Sequence, residues 1–586
     1  MRPTQWILAA ILLVSLPGLA IAATPAETFN KLLDDEWDAR MREFPLFATQ
    51  TGDHRFNDKL GSVSIADATR RDAQNREFLA RLDKIDRAQL QGADRVNYDL
   101  FRRNLADRIE DYQFKTYLMP ITNREGFHTS FAQLADRVPL RTVRDYENYC
   151  ARLEAFKAYA GQYVDVMREG IKQGYVLPKI VLDGWEPAVE DHVVDDPTRS
   201  LLYDAFEKFP DAIAQKDRDR LTARGTKAIM DSVVPGYRAF GEFMKKEYVP
   251  ACRETIGAAD LPNGKAYYEF CVRNYTTLDL TPRQVHETGL SEVKRIRAEM
   301  DGVIAKTGFE GSFAEFLEFL RTDPRFYVTT PEALMKETAL ICKKADGQLP
   351  TLFKTLPRMP YGLKPVPDFI ADKTSTAYYE DPTGDGTRAG FYHVNTSRLE
   401  SRPLYELESL SLHEAVPGHH LQIAIQYELP GVPNFRRYDW FTAFVEGWGL
   451  YSERLGMEMG FYQDPYSDFG RLTYEMWRAM RLVVDTGMHY FGWTRQQAID
   501  YMAANGALSI HNVTTEVDRY ISWPGQAVAY KTGELKFREL RDYASKELGA
   551  GFDVREFHDV CLWSGAVPLQ VLDDNVKAWV AEKKRK

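Results

Sequence analysis

The chain has 586 residues, 44% of them apolar and 27% charged, with 85 acidic and 75 basic side chains for a formal net charge of −10. That is the balance of an ordinary globular protein, which excludes a disordered, collagen-like or multi-span membrane chain. The lack of a basic excess argues against a sequence-independent nucleic-acid binder.

Residues 1–22 read as a secretory signal. Arg2 supplies the positive start, Ile7 to Ala20 is apolar, and Ala20-Ile21-Ala22 is a small-residue site with cleavage expected after Ala22. The apolar stretch is short for a membrane span and contains Pro17. No later segment offers ~20 uninterrupted apolar residues. The mature protein is therefore expected to be soluble, periplasmic or secreted, with no membrane contact after signal removal. No cysteine lies near the cleavage point, so lipid anchoring there is not expected. Of the five cysteines, Cys252 and Cys271 are near enough in sequence to pair, and the odd count leaves at least one thiol unpaired.

From residue 23 to about 275 the pattern is helical. Phe29, Leu32, Leu33 and Trp37 recur at three- and four-residue spacing among charges. Tyr146–Glu169 and Asp211–Val249 read as long packing helices with solvated outer faces. The region 276–586 opens with another helix, for which Thr281-Pro282 is the start signal. Across about 349–400 the texture changes to clustered prolines and glycines. Short aromatic and β-branched runs appear there (Thr376–Tyr379, Gly390–Asn395), which predict one small sheet. Long helices resume from 402. The expectation is a mainly α fold in which the two regions pack as one body, so the prior of about four domains from length alone weakens.

Only 11 histidines occur, and three of them fall in Leu412-His413-Glu414-Ala415-Val416-Pro417-Gly418-His419-His420. In H-E-x-x-H, two His one helical turn apart bind zinc and the Glu is the general base. Here the second His is six or seven residues on. In an unbroken helix a residue seven positions on lies about 10.5 Å further along, too far for two imidazoles sharing one ion at ~2.0–2.1 Å each. Pro417 would clash with the carbonyl four residues back, so the helix must bulge or kink. A looped-out pair of residues would then bring His419 to the second-ligand position, with His420 the competing candidate. Glu446, 26 residues after His420 on an apolar helix, is the candidate third ligand. Glu453 on the same face could orient a ligand His, or pair with Arg454 or Arg478. A His₂Glu site would hold Zn²⁺ with one open position, and Glu414 would act as general base on the water held there.

These residues resemble the bacterial family catalogued as domain of unknown function 885, whose hallmark is H-E-x-x-P-G-H-H-L-Q. Glu446–Glu453, Trp477–His489 and Gln526–Gly533 are similar to the same family. The resemblance implies a large helical zincin-like (gluzincin-type) peptidase fold with its small sheet beside the active-site helix. It implies His413, His419 and Glu446 as zinc ligands and Glu414 as base. In such peptidases an edge strand beside the zinc helix takes the substrate as an added strand. Arg388–Ser397, with Tyr392 and His393, is the candidate for it. Tyr530 or His489 could donate to the carbonyl oxyanion, and Arg478 or Arg481 could pair a substrate carboxylate. Asp485 could support the site, although Arg481, Asp485 and His489 also suit a plain helix-face ladder. The expected activity is zinc-dependent hydrolysis of short peptides. A zinc amidohydrolase or esterase, or a binding protein that has lost turnover, are the competing readings.

Overall fold

The computed structural model describes residues 23–122, 124–372 and 374–585, and of Phe369 the backbone alone. The expected signal, residues 1–22, lies outside them. Among the described residues no helix is long and apolar enough to cross a membrane.

The fold is mainly α. The first helix, α1 (Pro25–Glu43), starts where Thr24 caps it in a reciprocal box with Glu27, and it buries Phe29, Leu32, Leu33 and Met41. Next come α2 (Ala93–Gln113) and α3 (Val143–Gln173). The Thr281-Pro282 signal opens α4 (Pro282–Thr307), with a capping box to Gln284. Then α5 (Pro331–Leu352) runs through Pro350, so the sheet segment begins later than its proline cluster suggests.

The sheet has three strands, β1 (Tyr361–Pro365), β2 (Ala377–Glu380) and β3 (Gly390–Val394), in the order β1-β3-β2. β1 runs parallel to β3, with Tyr361 opposite Gly390; β2 runs antiparallel, with Tyr378 opposite His393. The expected edge strand, 388–397, is therefore the centre of the sheet. Both of its edges are already paired, and the outer strands are β1 and β2.

Six helices complete the part that matters: α6 (Leu407–Glu414), α7 (His419–Glu428), α8 (Thr442–Leu455), α9 (Pro465–His489), α10 (Ile510–Ser522) and α11 (Ala529–Leu548). Helix α9 is buried from Phe469 to His489 and packs along α4, where a Cβ on Gly289 would stand 2.7 Å from Leu482. Helices α8 and α11 cross at two glycines. A Cβ on Gly533 would lie 1.8 Å from the Ala443 carbonyl oxygen, so any side chain there would force the helices apart. That close crossing sets Tyr530 and Glu446 against one another. One buried apolar cluster runs from Phe29 to Val580, with two smaller ones beside it. All five cysteines are buried free thiols.

Candidate metal centre

Helix α6 ends at Glu414, and α7 starts at His419. Four residues, not a looped-out pair, leave the helix between them. Ala415 turns out of helical geometry at φ −95°, ψ −111°. Gly418 then passes so near the previous turn that a Cβ would stand 1.9 Å from the His413 carbonyl oxygen. Trp448 of α8 fastens this turn by donating its indole N–H to the Pro417 carbonyl at 2.8 Å.

The break brings two imidazoles to one carboxylate. His413 Nε2 is 3.4 Å from Glu446 Oε2, and His419 Nε2 is 3.3 Å from the same oxygen. One donor atom from each residue lies within 4.8 Å of the other two, and all three side chains are buried. Behind them, His413 Nδ1 donates to Glu453 Oε1 at 2.8 Å, which turns Nε2 inward. Ser409 Oγ donates to the other Glu453 oxygen at 2.7 Å, and Arg478 Nη2 stands 3.4 Å from the first. Two imidazole nitrogens and a carboxylate oxygen, with one ring oriented by a second carboxylate, fit a divalent ion such as Zn²⁺ with an open position.

The charges agree with that fit. Burial pushes the His413 imidazole down, but Glu446 and Glu453 outweigh it and raise it to about 9. Burial works to raise the Glu446 carboxyl, yet His419 and His413 hold it well below the usual range. Glu446 and Glu453 thus favour positive charge beside His413, which a bound cation would supply once the ring has lost its proton. Glu414 differs: burial raises its carboxyl, with His413 and His419 only partly opposing. It has the environment of a group that gives and takes a proton.

His420 is elsewhere. Its Nδ1 accepts from the Tyr379 hydroxyl at 2.8 Å, and its Nε2 donates to the Met359 carbonyl at 3.0 Å. With both ring nitrogens engaged, it is a strut between α7 and the sheet. Consequently His419→Ala should strip bound metal from the protein, whereas His420→Ala should retain it. Metal analysis of the two purified variants checks this, and equal retention would defeat the assignment.

The cluster opens into a cavity of about 620 Å³ that reaches Glu414, Tyr530, Arg478 and Arg481. Ser375 to Tyr379, on and before β2, form one wall. Further lining comes from the N-terminal region: Asn104, Asp107, Arg108, Arg124 and Glu125. A second cavity of about 660 Å³ adjoins the first, with Arg124, Glu125, Tyr378 and Tyr379 lining both. Burial raises the Tyr530 hydroxyl, which keeps it a donor.

Four sequence candidates are not at the cavity. His489 accepts from the Ala258 N–H at 3.0 Å through Nδ1 and donates to the Tyr520 carbonyl at 2.9 Å through Nε2, so it has no hydrogen bond to spare for a substrate. Asp485 accepts from the Tyr268 hydroxyl and the Gly525 N–H. Both lie near the end of α9 facing 258–268, past the stretch that carries Arg478 and Arg481. Tyr392 is buried in the central strand. His393 meets Glu380 at 3.1 Å and stacks on Tyr378 at 4.5 Å between ring centres. Neither residue lines either cavity. The cavity residues that sequence reasoning passed over, Arg124 and Arg519 among them, lie outside the motif in chain segments that carry no local signal.

Just before α6, Glu406 is buried and one carboxyl oxygen lacks a hydrogen bond. Burial pushes its carboxyl up to about 8 against Arg402, Arg478 and Arg321. The folded chain therefore keeps a proton that the unfolded chain releases in the ordinary glutamate range, ~4.3. Native stability must fall as pH rises through that window. Glu406→Gln should remove this slope and gain on the order of 5 kcal/mol near the top of it. Denaturation of both proteins at about pH 5 and about pH 8 checks the sign.

Fold and site together define a mainly α protein with a buried His–His–Glu cluster at the floor of a cleft. The chain belongs to the family described as bacterial protein of unknown function (DUF885), whose model matches residues 45–576. Among solved structures it is similar to a candidate lipoprotein from Colwellia psychrerythraea, with a TM-score of 0.89 and 27% identity over 95% of this chain and 100% of that one. It also shares its fold with a candidate lipoprotein of unknown function from Shewanella oneidensis, with a TM-score of 0.67 and 19% identity over 94% of this chain and 99% of that one. No curated protein matches the chain.

Proposed function

We propose that the chain is an exported zinc metallopeptidase of zincin-like type that hydrolyses short peptides. The observation that carries this is the convergence of His413, His419 and Glu446, with donor atoms within 4.8 Å, beside a buried carboxyl on the same cavity. A divalent ion, when bound, supplies a Lewis acid that polarises a carbonyl and makes water more acidic.

The chain's own groups supply the rest. Glu414 takes the proton of the attacking water and delivers it to the leaving amine, for which its raised carboxyl is suited. Tyr530 offers an O–H to the carbonyl oxygen as charge develops there. Glu453 keeps the His413 ring from turning. The free edge of β2 along the cavity wall suits an extended peptide backbone, which favours a peptide over a simple ester. A cleft lined by both regions of the chain suits short peptides rather than folded proteins. Export is supported by the neighbour from Colwellia psychrerythraea being described as a candidate lipoprotein.

Metal analysis of the purified full-length protein, followed by mass spectrometry of a peptide mixture incubated with it, tests the reading. About one zinc per chain is expected, with new cleavage products that vanish on chelation and return with Zn²⁺. Protein without stoichiometric zinc that gains no activity with Zn²⁺ would end the proposal.

A further inference from the structure

Three guanidinium groups on the cavity wall share a single carboxylate. Glu516 of α10 lies 2.9 Å from Arg519, 3.0 Å from Arg481 and 3.8 Å from Arg124. Among the described residues no other acidic side chain comes within ion-pair distance of any of the three. Asp485, the next acid that acts on Arg481 and Arg519, is turned to Tyr268 and Gly525, and burial pushes its carboxyl up to about 7. Glu125 acts on Arg124 from an exposed position. Uncompensated positive charge in a buried setting is costly unless an anion meets it.

The donors are also incomplete. Arg481 is buried, its Nε donates to the Tyr520 hydroxyl, and its Nη1 has no hydrogen bond. The Nη1 of Arg124 is buried and equally without one. Burial, followed by repulsion from Arg519, lowers the Arg124 guanidinium, as expected of a cation short of partners. All three arginines line the cavity that holds the His–His–Glu cluster. Arg478, by contrast, is matched by Glu453.

Tyr530 neighbours both groups. Its ring centre is 4.2 Å from the Arg481 guanidinium carbon and 6.5 Å from the His413 ring centre. An extended residue covers ~3.3–3.6 Å, so at most about three residues separate the two groups.

We propose that Arg124, Arg481 and Arg519 form a subsite for the C-terminal carboxylate of a peptide, so that the centre acts near the carboxyl end of its substrates. This rests on the peptidase reading above. A planar carboxylate matches the paired N–H groups of a guanidinium, and charge-assisted bonds of this kind are among the stronger ones.

The test uses the full-length chain carrying Glu414→Gln, which leaves peptides intact. A labelled octapeptide with a free C-terminus and its C-terminal amide are titrated separately and followed by fluorescence anisotropy. The acid should bind at least about tenfold more tightly than the amide. Adding Arg124→Gln, at the rim of the cavity, should shrink that ratio to below about threefold. Equal binding of acid and amide, or no binding of either, would overturn the subsite. So would an unchanged ratio with Arg124→Gln, or an amide ending in Glu that binds as tightly as the acid. Wild-type protein is then given both peptides and the products are weighed. An acid preference without cleavage would keep the subsite and sink the peptidase reading; cleavage with equal binding would do the reverse.

Discussion

Replacing Glu414 by glutamine should cut peptide hydrolysis by about 10²–10⁴-fold while leaving the bound ion in place. Glutamine keeps the size of the side chain and its place on the last turn of α6. It loses only the ability to take a proton from water and return it to the amine. Glu414 is buried and lines the cavity, and it is not one of the three side chains whose donor atoms converge. Turnover and metal content should therefore separate. Hydrolysis within about threefold of wild type would refute the base assignment, because a positioned proton carrier contributes far more than that. Loss of zinc along with activity would instead make Glu414 a ligand.

Lys531→Met should cost about 3–5 kcal/mol of stability, the usual penalty for leaving buried charge without its partner. Its side chain is fully buried. Its ammonium lies 2.8 Å from Glu475, 2.8 Å from Glu534 and 3.1 Å from Glu292. These acids come from α9, α11 and α4. Arg295 also pairs with Glu475, and Arg471 and Arg538 approach it at 3.6 and 3.5 Å. Without Lys531 three carboxylates face each other across three helices. Denaturant titration reads the loss. Because Lys531 follows Tyr530 directly, activity should fall as well; an unchanged midpoint would show that the arginines alone neutralise the cluster.

Much of this is written locally. The helical spacing around Phe29 to Trp37, the Thr281 cap and the aromatic runs at 376–379 and 390–395 announce their own elements. His413, Glu414, His419 and Glu446 can be grouped from sequence because they sit within 34 residues, on three successive helices. Sequence leaves His419 and His420 open, because the choice depends on where Tyr379 and the Met359 carbonyl fall, 41 and 61 residues away. The edge strand is misread for a similar reason. Strand order depends on β1, which sits among prolines and pairs with β3 in parallel, and no local pattern announces such a neighbour. His489 and Asp485 follow the helix face of Arg481, but the face turns away along α9 and meets Ala258 and Tyr268 instead. Arg124 is opaque to sequence because nothing local ties it to Glu516, nearly four hundred positions later.

The two parts of the cleft lining have separate histories in the polypeptide. The histidines, Glu414 and the sheet edge belong to residues 375–446, while Asn104 to Glu125 bring the N-terminal region into the lining. Substitutions in that earlier stretch can change which molecules are admitted without disturbing the groups that react. Relatives could thus drift apart in diet while keeping the same chemistry. Diversity among them should then be concentrated in the lining residues between Asn104 and Glu125 rather than around the histidines.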